Sequence, residues 1–214
     1  MKRIVFCDFD GTITVEETFV AMLKQFTPEV AAQVLPEIYA RRVTLRHGVR
    51  QMLESVPSSS YPAIIEFTRS QPIRSGFSEF LDFLATEQIP LVVVSGGLQG
   101  MVEAVLEPFG TRISAIHAID VKTAGSFLSV NSRYEGGSEM VAKAQIMATY
   151  DVDESIAIGD SITDWSLALA ASLVFARPPL TQYLEEHQKF YLVWDDFVDV
   201  RNQLAEWLIN KRKG

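Results

Sequence analysis

Residues 3–12, RIVFCDFDGT, contain an apolar run that leads directly into the paired acids Asp8 and Asp10. A short apolar run of this kind predicts a β-strand that is buried on both faces, as in the parallel sheets of α/β proteins. Ligands of open α/β sheets bind beyond the carboxyl ends of the strands. The sequence therefore predicts that Asp8 and Asp10 lie at the ligand-binding edge of a parallel sheet.

Five further apolar runs predict strands, and the segments between them carry apolar residues at helical spacing. The runs cover residues 90–94, 113–119, 156–158, 173–175 and 190–193. An example of the helical spacing is the set Phe77, Phe80, Leu81 and Leu84. Alternating strands and helices predict an α/β domain with a doubly wound parallel sheet.

Residues 16–71 interrupt this alternation, because they contain no convincing strand and carry several amphipathic helical patterns. Breaks between these helices are expected at Pro28, Pro36, Gly48 and Pro57. We therefore expect a core formed by residues 1–14 and 72–214, with a small helical cap of residues 15–71 inserted after the first strand. The Gly- and Ser-rich residues 123–138 fit either a hairpin or a loop.

The composition limits the binding partners and the cellular compartment that we expect for this protein. The 214-residue chain has 19 Lys and Arg against 27 Asp and Glu, and its net charge of −8 disfavours nucleic acid binding. The longest weakly polar stretch, residues 165–176, falls short of the ~20 apolar residues that cross a bilayer, so no membrane segment is expected. Cys7 is the only cysteine and cannot form an internal disulfide, which favours a reducing, cytoplasmic location.

Two further strand ends carry polar groups. The sequence VVVSGG ends a predicted strand with Ser95 and Gly96, whose hydroxyl and backbone amides could surround an anionic oxygen. The sequence IGDSITD places Asp160 at a strand end and Asp164 one helical turn later. Taken alone, each pattern also fits a simpler alternative, which is a flexible turn for the first and helix capping for the second.

The three strand ends are predicted to form one site. Asp8, Ser95 and Asp160 follow parallel strands, so they converge at one edge of the sheet. Lys143 lies on a predicted helix of residues 139–150, and alone it would be interpreted as solvated surface. Clustered carboxylates repel one another unless a hard divalent cation neutralises them, and Mg²⁺, which takes oxygen ligands, is the natural candidate.

Four motifs occur in the order found in the haloacid dehalogenase superfamily of phosphohydrolases: DFDGT, the serine of VVVSGG, a helical lysine and GDSITD. The chain resembles this superfamily over most of its length. The resemblance implies a Rossmann-like core and Mg²⁺-dependent hydrolysis through an aspartyl phosphate. It also implies that Asp8 is the nucleophile and Asp10 the general acid and base.

The same resemblance implies the other roles at the site. It implies phosphate binding by Ser95, Gly96 and Lys143, and metal binding by Asp8, the Asp10 carbonyl and Asp160. Asp164 would complete the acidic cluster by contacting the metal ligands, or by contacting the metal through a water molecule.

The resemblance also bears on turnover and on substrate size. The ion-pumping ATPases of the superfamily carry Thr at the position of Asp10 and keep their phosphoenzyme longer, so an Asp implies rapid hydrolysis. The helical cap resembles that of the phosphoserine phosphatase branch, which closes over small substrates and excludes water. A small phosphorylated metabolite is therefore the expected substrate, and neither nucleic acid nor a membrane is expected as a partner.

Two branches of the superfamily suggest different substrates. Arg42 resembles the cap arginine that binds the carboxylate of phosphoserine, with Glu16 or Glu17 as the glutamate that binds its amine. A longer resemblance is to the methionine-salvage phosphatases that act on a hydroxy-keto-methylthiopentenyl phosphate. It covers residues 73–77, the strand ending in VVVSGG, GDSITD and residues 175–177. The longer resemblance favours the second substrate.

Two other functions use similar residues. A signalling receiver domain also carries a phospho-accepting aspartate, a hydroxyl and a lysine on a doubly wound sheet. Receivers place the acceptor after a middle strand and have no helical insert after the first, so the order of elements disfavours that alternative. A phosphotransferase of the same superfamily would share every catalytic residue with a hydrolase.

Overall fold

The computed structural model describes residues 1–213 and contains one seven-stranded sheet with helices on both faces. The strands are β1 (Arg3–Cys7), β2 (Leu91–Leu98), β3 (Ala115–Lys122), β4 (Ser129–Asn131), β5 (Glu154–Gly159), β6 (Leu173–Ala176) and β7 (Leu192–Val193). Their order is β4-β3-β2-β1-β5-β6-β7. All neighbours are parallel except β3 and β4, which are antiparallel. The predicted doubly wound sheet is confirmed, with one antiparallel edge strand in addition.

Outside the helical cap, helices alternate with the strands except between β3 and β4, which follow each other directly. The helices are α1 (Thr18–Phe26), α2 (Pro28–Tyr39), α3 (Leu45–Leu53), α4 (Tyr61–Arg69), α5 (Phe77–Thr86), α6 (Gln99–Leu106), α7 (Lys143–Ala148), α8 (Trp165–Ala170), α9 (Leu180–Glu186) and α10 (Phe197–Lys213). Short 3₁₀ helices cover Ser58–Ser60, Glu107–Arg112 and Ile162–Asp164. Within residues 1–213, no helix combines the length and apolar character needed to cross a membrane.

Strand β1 is buried on both faces of the sheet, as its apolar run predicts. Ile4 and Phe6 pack into the apolar cluster on one face, whereas Val5 and Cys7 pack into the cluster on the other. Successive side chains of a strand point to opposite faces, so a strand covered on both sides needs apolar residues at every position. This central position places the end of β1 in the middle of the sheet edge.

The helical cap begins and ends beside the end of β1. Its helices α1 to α4 contribute Met22, Met52 and Ile64 to the same apolar cluster as Val92 and Val94 of the sheet. The two connections between the cap and the core run side by side as an antiparallel bridge between Thr14 and Ile73. The division into a core and a cap at residues 14–15 and 71–72 stays a prediction.

Two of the expected helix breaks in the cap are wrong. Pro36 lies inside α2 and Gly48 lies inside α3, whereas Pro28 begins α2 as expected. Gly48 serves close packing instead of ending a helix, because a Cβ atom there would lie 2.5 Å from Cδ1 of Ile38 on α2. Thr44 caps the N-terminus of α3, because its side chain accepts a hydrogen bond from the backbone N–H of His47.

Of the two alternatives for residues 123–138, a hairpin or a loop, the hairpin is correct, because β4 pairs with β3. The hairpin also contacts the cap. Ser58 N donates to Ser126 O at 3.0 Å and Leu128 N donates to Val56 O at 2.9 Å. Arg50 of α3 donates to Val130 O at 2.8 Å. The cap is therefore held to the core both at its connections and by this hairpin.

The helix predicted over residues 139–150 begins later than expected, at Lys143. The reason is local. Gly136 and Glu139 exchange two backbone hydrogen bonds, at 3.2 and 3.0 Å, so the backbone of Glu139 is used in a turn and not in the helix. This turn brings the first residue of α7, which is Lys143, towards the edge of the sheet.

Candidate active site

The carboxyl ends of β1, β2 and β5 are neighbours in the sheet, and each carries a predicted site residue. Asp8 follows β1, Ser95 lies near the end of β2 and Asp160 follows β5. All three are buried, with at most 8 % of any of them exposed. Asp8 N donates to Ile158 O at 2.9 Å, so strand pairing continues up to the carboxylate. The adjacency of three parallel strands thus brings these residues together.

Lys143 is buried at the centre of the site and is not surface. Its Nζ donates to Oδ1 of Asp8 at 2.5 Å and to Oδ1 of Asp164 at 2.6 Å. Burial acts to lower the pKa of Lys143, but the negative charges of Asp164 and Asp8 outweigh burial and raise it. The side chain is therefore a fixed positive charge next to Asp8.

Asp164 and Asp160 are positioned by hydrogen bonds within the site. Oδ2 of Asp164 accepts from the backbone N–H groups of Asp160 and Ser161, both at 3.1 Å. Helix capping, the simpler alternative for Asp164, is thus also correct, because Ser161 and Asp164 form a capping box. Oδ1 of Asp160 accepts from the Thr12 hydroxyl at 2.7 Å. One motif therefore caps a helix and supplies the site at the same time.

Gly11 explains why DFDGT needs a glycine at this position. Its φ of +75° is a left-handed conformation that L side chains rarely adopt, and a Cβ atom there would lie 2.6 Å from Oδ2 of Asp160. The turn after Asp10 therefore passes directly against the Asp160 carboxylate.

The Asp10 carboxylate lies between the start of α1 and the end of β2. Its Oδ1 accepts from the backbone N–H of Phe19 at 2.9 Å. Its Oδ2 is so close to β2 that a Cβ atom on Gly97 would lie 3.1 Å from it. Burial raises the pKa of Asp10 to about 7, although the hydrogen bond from Phe19 acts to lower it. A carboxyl group with this pKa can both donate and accept a proton near neutral pH.

The end of β2 forms a bulge that exposes backbone at the site. The register with β3 shifts between Val94 and Leu98, and the Oγ of Ser95 accepts from Gly97 N at 3.0 Å. The Ser95 hydroxyl keeps its own proton for donation. Gly96 is exposed, and a Cβ atom there would meet no atom within 4 Å. The arrangement leaves room for an anionic group beside Ser95 and Gly96.

The acidic cluster has the chemistry of a divalent cation site. Ligand atoms from Asp8, Asp160 and Asp164 lie within 4.8 Å of one another. When all are ionised, the three buried carboxylates and the buried ammonium of Lys143 carry a net charge of −2. Burial and the neighbouring Asp164 raise the pKa of Asp160 to about 6, as expected for uncompensated negative charge.

The hydrogen bonds indicate which oxygens could bind a cation. Both oxygens of Asp164 are used by Lys143 and by backbone N–H groups. None of the hydrogen bonds among the described residues uses Oδ2 of Asp8 or Oδ2 of Asp160. Hard oxygen ligands of this kind fit Mg²⁺. Metal binding by the Asp10 carbonyl stays a prediction.

The substrate-binding residues predicted in the cap are less close together. Glu17 is exposed, and desolvation of its carboxylate together with the negative charge of Asp164 raises its pKa. Glu16 contributes its backbone carbonyl, which accepts from the Thr14 hydroxyl at 2.8 Å. Arg42 is exposed, and its Nε and Nη2 donate to the Glu37 carboxylate at 2.6 and 2.7 Å. The charge of Asp164 thus acts on Glu17, whereas the partner of Arg42 is Glu37.

Thr12 and Arg74 contribute to the site without having been predicted to do so. Thr12 holds Asp160, and the guanidinium of Arg74 donates to the carbonyl of Thr12 at 2.8 Å. Position within DFDGT could have suggested Thr12. Arg74 is 62 residues away along the chain, and no spacing rule connects it to Thr12.

Residues 5–169 match the haloacid dehalogenase-like hydrolase family, and the chain belongs to that family. The 2-hydroxy-3-keto-5-methylthiopentenyl-1-phosphate phosphatase of Microcystis aeruginosa (strain NIES-843) is 50% identical over 206 residues, covering 95% of this chain and 98% of the relative. A phosphatase of the same name from Bacillus cereus (strain B4264) is 31% identical over 212 residues, covering 95% and 96%. The predicted phosphatase of the haloacid dehalogenase superfamily is thereby confirmed.

Several solved structures with the same fold are phosphoserine phosphatases. A substrate-bound phosphoserine phosphatase complex has a TM-score of 0.72 at 18% identity, covering 96% of this chain and 98% of that one. A phospho-aspartyl intermediate analogue of phosphoserine phosphatase has a TM-score of 0.69 at 20% identity, with the same coverage. At this identity the likeness concerns the fold alone. The family membership and the fold together rule out the receiver alternative.

Proposed function

We propose that this enzyme hydrolyses a small phosphomonoester in two steps at Asp8. The observation that carries the proposal is the buried contact of 2.5 Å between Asp8 Oδ1 and Lys143, beside the Asp160 carboxylate. Lys143 orients the Asp8 carboxylate through Oδ1, and none of the hydrogen bonds among the described residues uses Oδ2 of Asp8. The Asp8 carboxylate is the nucleophile.

Asp10 transfers the protons in both steps. In the first step a bond forms between Asp8 and phosphorus, the bond from phosphorus to the ester oxygen breaks, and Asp10 gives its proton to that oxygen. In the second step Asp10 takes a proton from water and the water oxygen bonds to phosphorus. The bond between phosphorus and the Asp8 oxygen breaks, which restores the Asp8 carboxylate and gives inorganic phosphate. A pKa of about 7 allows Asp10 to serve as both acid and base.

The remaining residues stabilise charge on the transferred group. Ser95, Gly96 and Lys143 hold the phosphoryl oxygens by hydrogen bonds. Asp8, Asp160 and the Asp10 carbonyl would hold Mg²⁺, which supplies positive charge against the phosphoryl oxygens when it is bound. Asp164 keeps Lys143 in place, because the two are 2.6 Å apart.

The substrate that we propose is 2-hydroxy-3-keto-5-methylthiopentenyl-1-phosphate. The basis is that phosphatases named for this substrate are 50% identical to this chain over 206 residues, which is 95% of its length. Phosphoserine is the second candidate, because the fold is that of phosphoserine phosphatases and the Glu17 carboxylate, which is influenced by the charge of Asp164, could bind an ammonium group. The arginine that would bind the phosphoserine carboxylate, Arg42, is paired with Glu37 instead.

The two substrates are distinguished by steady-state rates measured with each of them and with nitrophenyl phosphate. We expect kcat/KM for the methylthiopentenyl phosphate to exceed that for phosphoserine by about 10²-fold or more, a difference of about 2.7 kcal/mol in transition-state binding. A higher kcat/KM for phosphoserine would reverse the assignment. Hydrolysis of nitrophenyl phosphate alone would leave the enzyme class standing and refute both substrates.

Removal of Mg²⁺ is expected to lower turnover of nitrophenyl phosphate by about 10²-fold or more, because the acidic cluster would then repel the phosphate group. Excess chelator followed by added Mg²⁺ measures this loss and its recovery. Ca²⁺ is expected to suppress the rate, since its larger and looser coordination would misplace the Asp8 oxygen. Circular dichroism in chelator controls for unfolding. Undiminished turnover in chelator would contradict the metal assignment.

Arg42→Ala tests whether Arg42 binds the substrate. Because the Arg42 guanidinium is exposed and paired with Glu37, we expect KM for the methylthiopentenyl phosphate and for nitrophenyl phosphate to stay within about twofold of wild type. The matched control is Glu37→Ala, which removes the partner of Arg42 and keeps the guanidinium. A KM for the methylthiopentenyl phosphate that rises about tenfold in Arg42→Ala alone, with KM for nitrophenyl phosphate unchanged, would place Arg42 in the binding site after all.

A further inference from the structure

Arg74 lies where the chain returns from the helical cap to the core, directly beside the turn that follows Asp10. Its backbone N–H donates to the carbonyl of Ile13 at 2.8 Å. Its guanidinium donates to the carbonyls of Gly11 at 2.5 Å, Thr12 at 2.8 Å and Thr14 at 3.3 Å. Four successive carbonyls of the 11–15 turn are therefore bonded to this one residue.

The 11–15 turn depends on these bonds for part of its backbone pairing. Its inner side is closed by Gly11 N and the Thr14 hydroxyl, which both donate to the carbonyl of Glu16. The hydrogen bonds of the described residues provide no donor other than Arg74 for the carbonyls of Gly11 and Thr12. Unpaired carbonyls in a partly buried turn are costly, so Arg74 selects this turn conformation.

The 11–15 turn positions two carboxylates of the site. Thr12, inside the turn, donates to Asp160 at 2.7 Å. Asp10 precedes the turn and accepts from Phe19 N, which lies in the first turn of α1 just beyond it. The shape of the turn therefore sets the distance between Asp10 and α1. A change in that shape would move Asp10 relative to the ester oxygen.

The guanidinium of Arg74 is itself held in place by Trp194, which is 1 % exposed. It lies over the indole ring at 5.4 Å from the ring centroid, and Arg177 lies over the same ring at 5.2 Å. Arg177 donates to the carbonyl of Asp195 at 2.8 Å and not to the turn. Two arginines thus share one aromatic partner, but of these two guanidinium groups it is that of Arg74 that donates to the 11–15 turn.

We propose that Arg74 is a positioning residue for the general acid Asp10, acting through the carbonyls of the 11–15 turn. This inference rests on the proposed function, because it concerns the proton that Asp10 gives to the ester oxygen. An arginine suits this role because its planar fork binds several carbonyls in a fixed geometry, which a lysine cannot do.

The test compares Arg74→Lys with wild type on an alkyl phosphate and on nitrophenyl phosphate. The value of kcat/KM reports on steps up to release of the alcohol or phenol, so it isolates the proton transfer to the ester oxygen. We expect a loss of about 10²-fold on the alkyl phosphate, which needs that proton, because a misplacement of about 1 Å has this cost. The loss on nitrophenyl phosphate should be only a few-fold, because nitrophenolate leaves without protonation.

The matched control is Arg177→Lys, which changes the other guanidinium on Trp194 and should leave the ratio of the two substrates unchanged. Arg74→Gln, with melting temperatures for all variants, provides a second measurement. Equal losses on both esters, no loss, the same selective loss in Arg177→Lys, or failure of both Arg74 variants to fold would overturn the positioning role. Wild-type enzyme that is inactive on both esters would instead refute the proposed function, and this inference with it.

Discussion

Asp8→Asn is expected to reduce phosphoester hydrolysis to the background rate, because the variant lacks the carboxylate oxygen that bonds to phosphorus. An amide is a far weaker nucleophile, and the remaining residues offer no alternative group at the same position. The measurement is phosphate release from nitrophenyl phosphate in Mg²⁺, with the enzyme concentration raised until a background rate is defined.

The fold of Asp8→Asn should be retained. The substitution removes one of three clustered carboxylates, and Lys143 keeps Asp164 as a partner at 2.6 Å. A melting temperature close to that of wild type would therefore accompany the loss of activity. Asp151→Asn is the matched control, because Asp151 is an exposed aspartate that pairs with Lys2 at 3.5 Å. Activity of Asp8→Asn within a few-fold of this control would refute Asp8 as the nucleophile.

Asp10→Asn is expected to lower turnover of an alkyl phosphate by about 10²–10⁴-fold for each proton transfer that Asp10 performs. The loss should be smallest in the first step with an acyl phosphate, whose leaving group needs no protonation. The second step still requires a base for water. The phospho-aspartate on Asp8 should therefore accumulate in this variant.

The accumulation can be measured directly by intact-protein mass spectrometry. Asp10→Asn is mixed with an acyl phosphate and Mg²⁺, and the added phosphoryl group is mapped by fragmentation. Asp8→Asn and Asp8→Asn/Asp10→Asn serve as controls and should carry no adduct. An adduct at a different residue, or turnover of Asp10→Asn close to that of wild type, would contradict the assignment of the two aspartates.

Local sequence patterns were sufficient to predict most strands of the sheet, but they did not predict the start of α7 or the pairing of β4. The run from Ile4 to Cys7 predicts its strand because both faces of a central strand must be apolar. The start of α7 was predicted too early, since a turn between Gly136 and Glu139 competes with the helix for backbone groups. The pairing of β4 with β3 depends on contacts with the cap that no short window of sequence contains.

The fold class, the family and the residue types at the strand ends could be predicted from the sequence, because strand burial and a motif such as DFDGT are expressed in consecutive residues. Which charged groups meet depends instead on the tertiary fold. It buried Lys143 between Asp8 and Asp164, paired Arg42 with Glu37, and brought Arg74 to the 11–15 turn. Contacts between residues far apart along the chain depend on how the helices and strands pack, and packing acts over distances that a sequence pattern does not record.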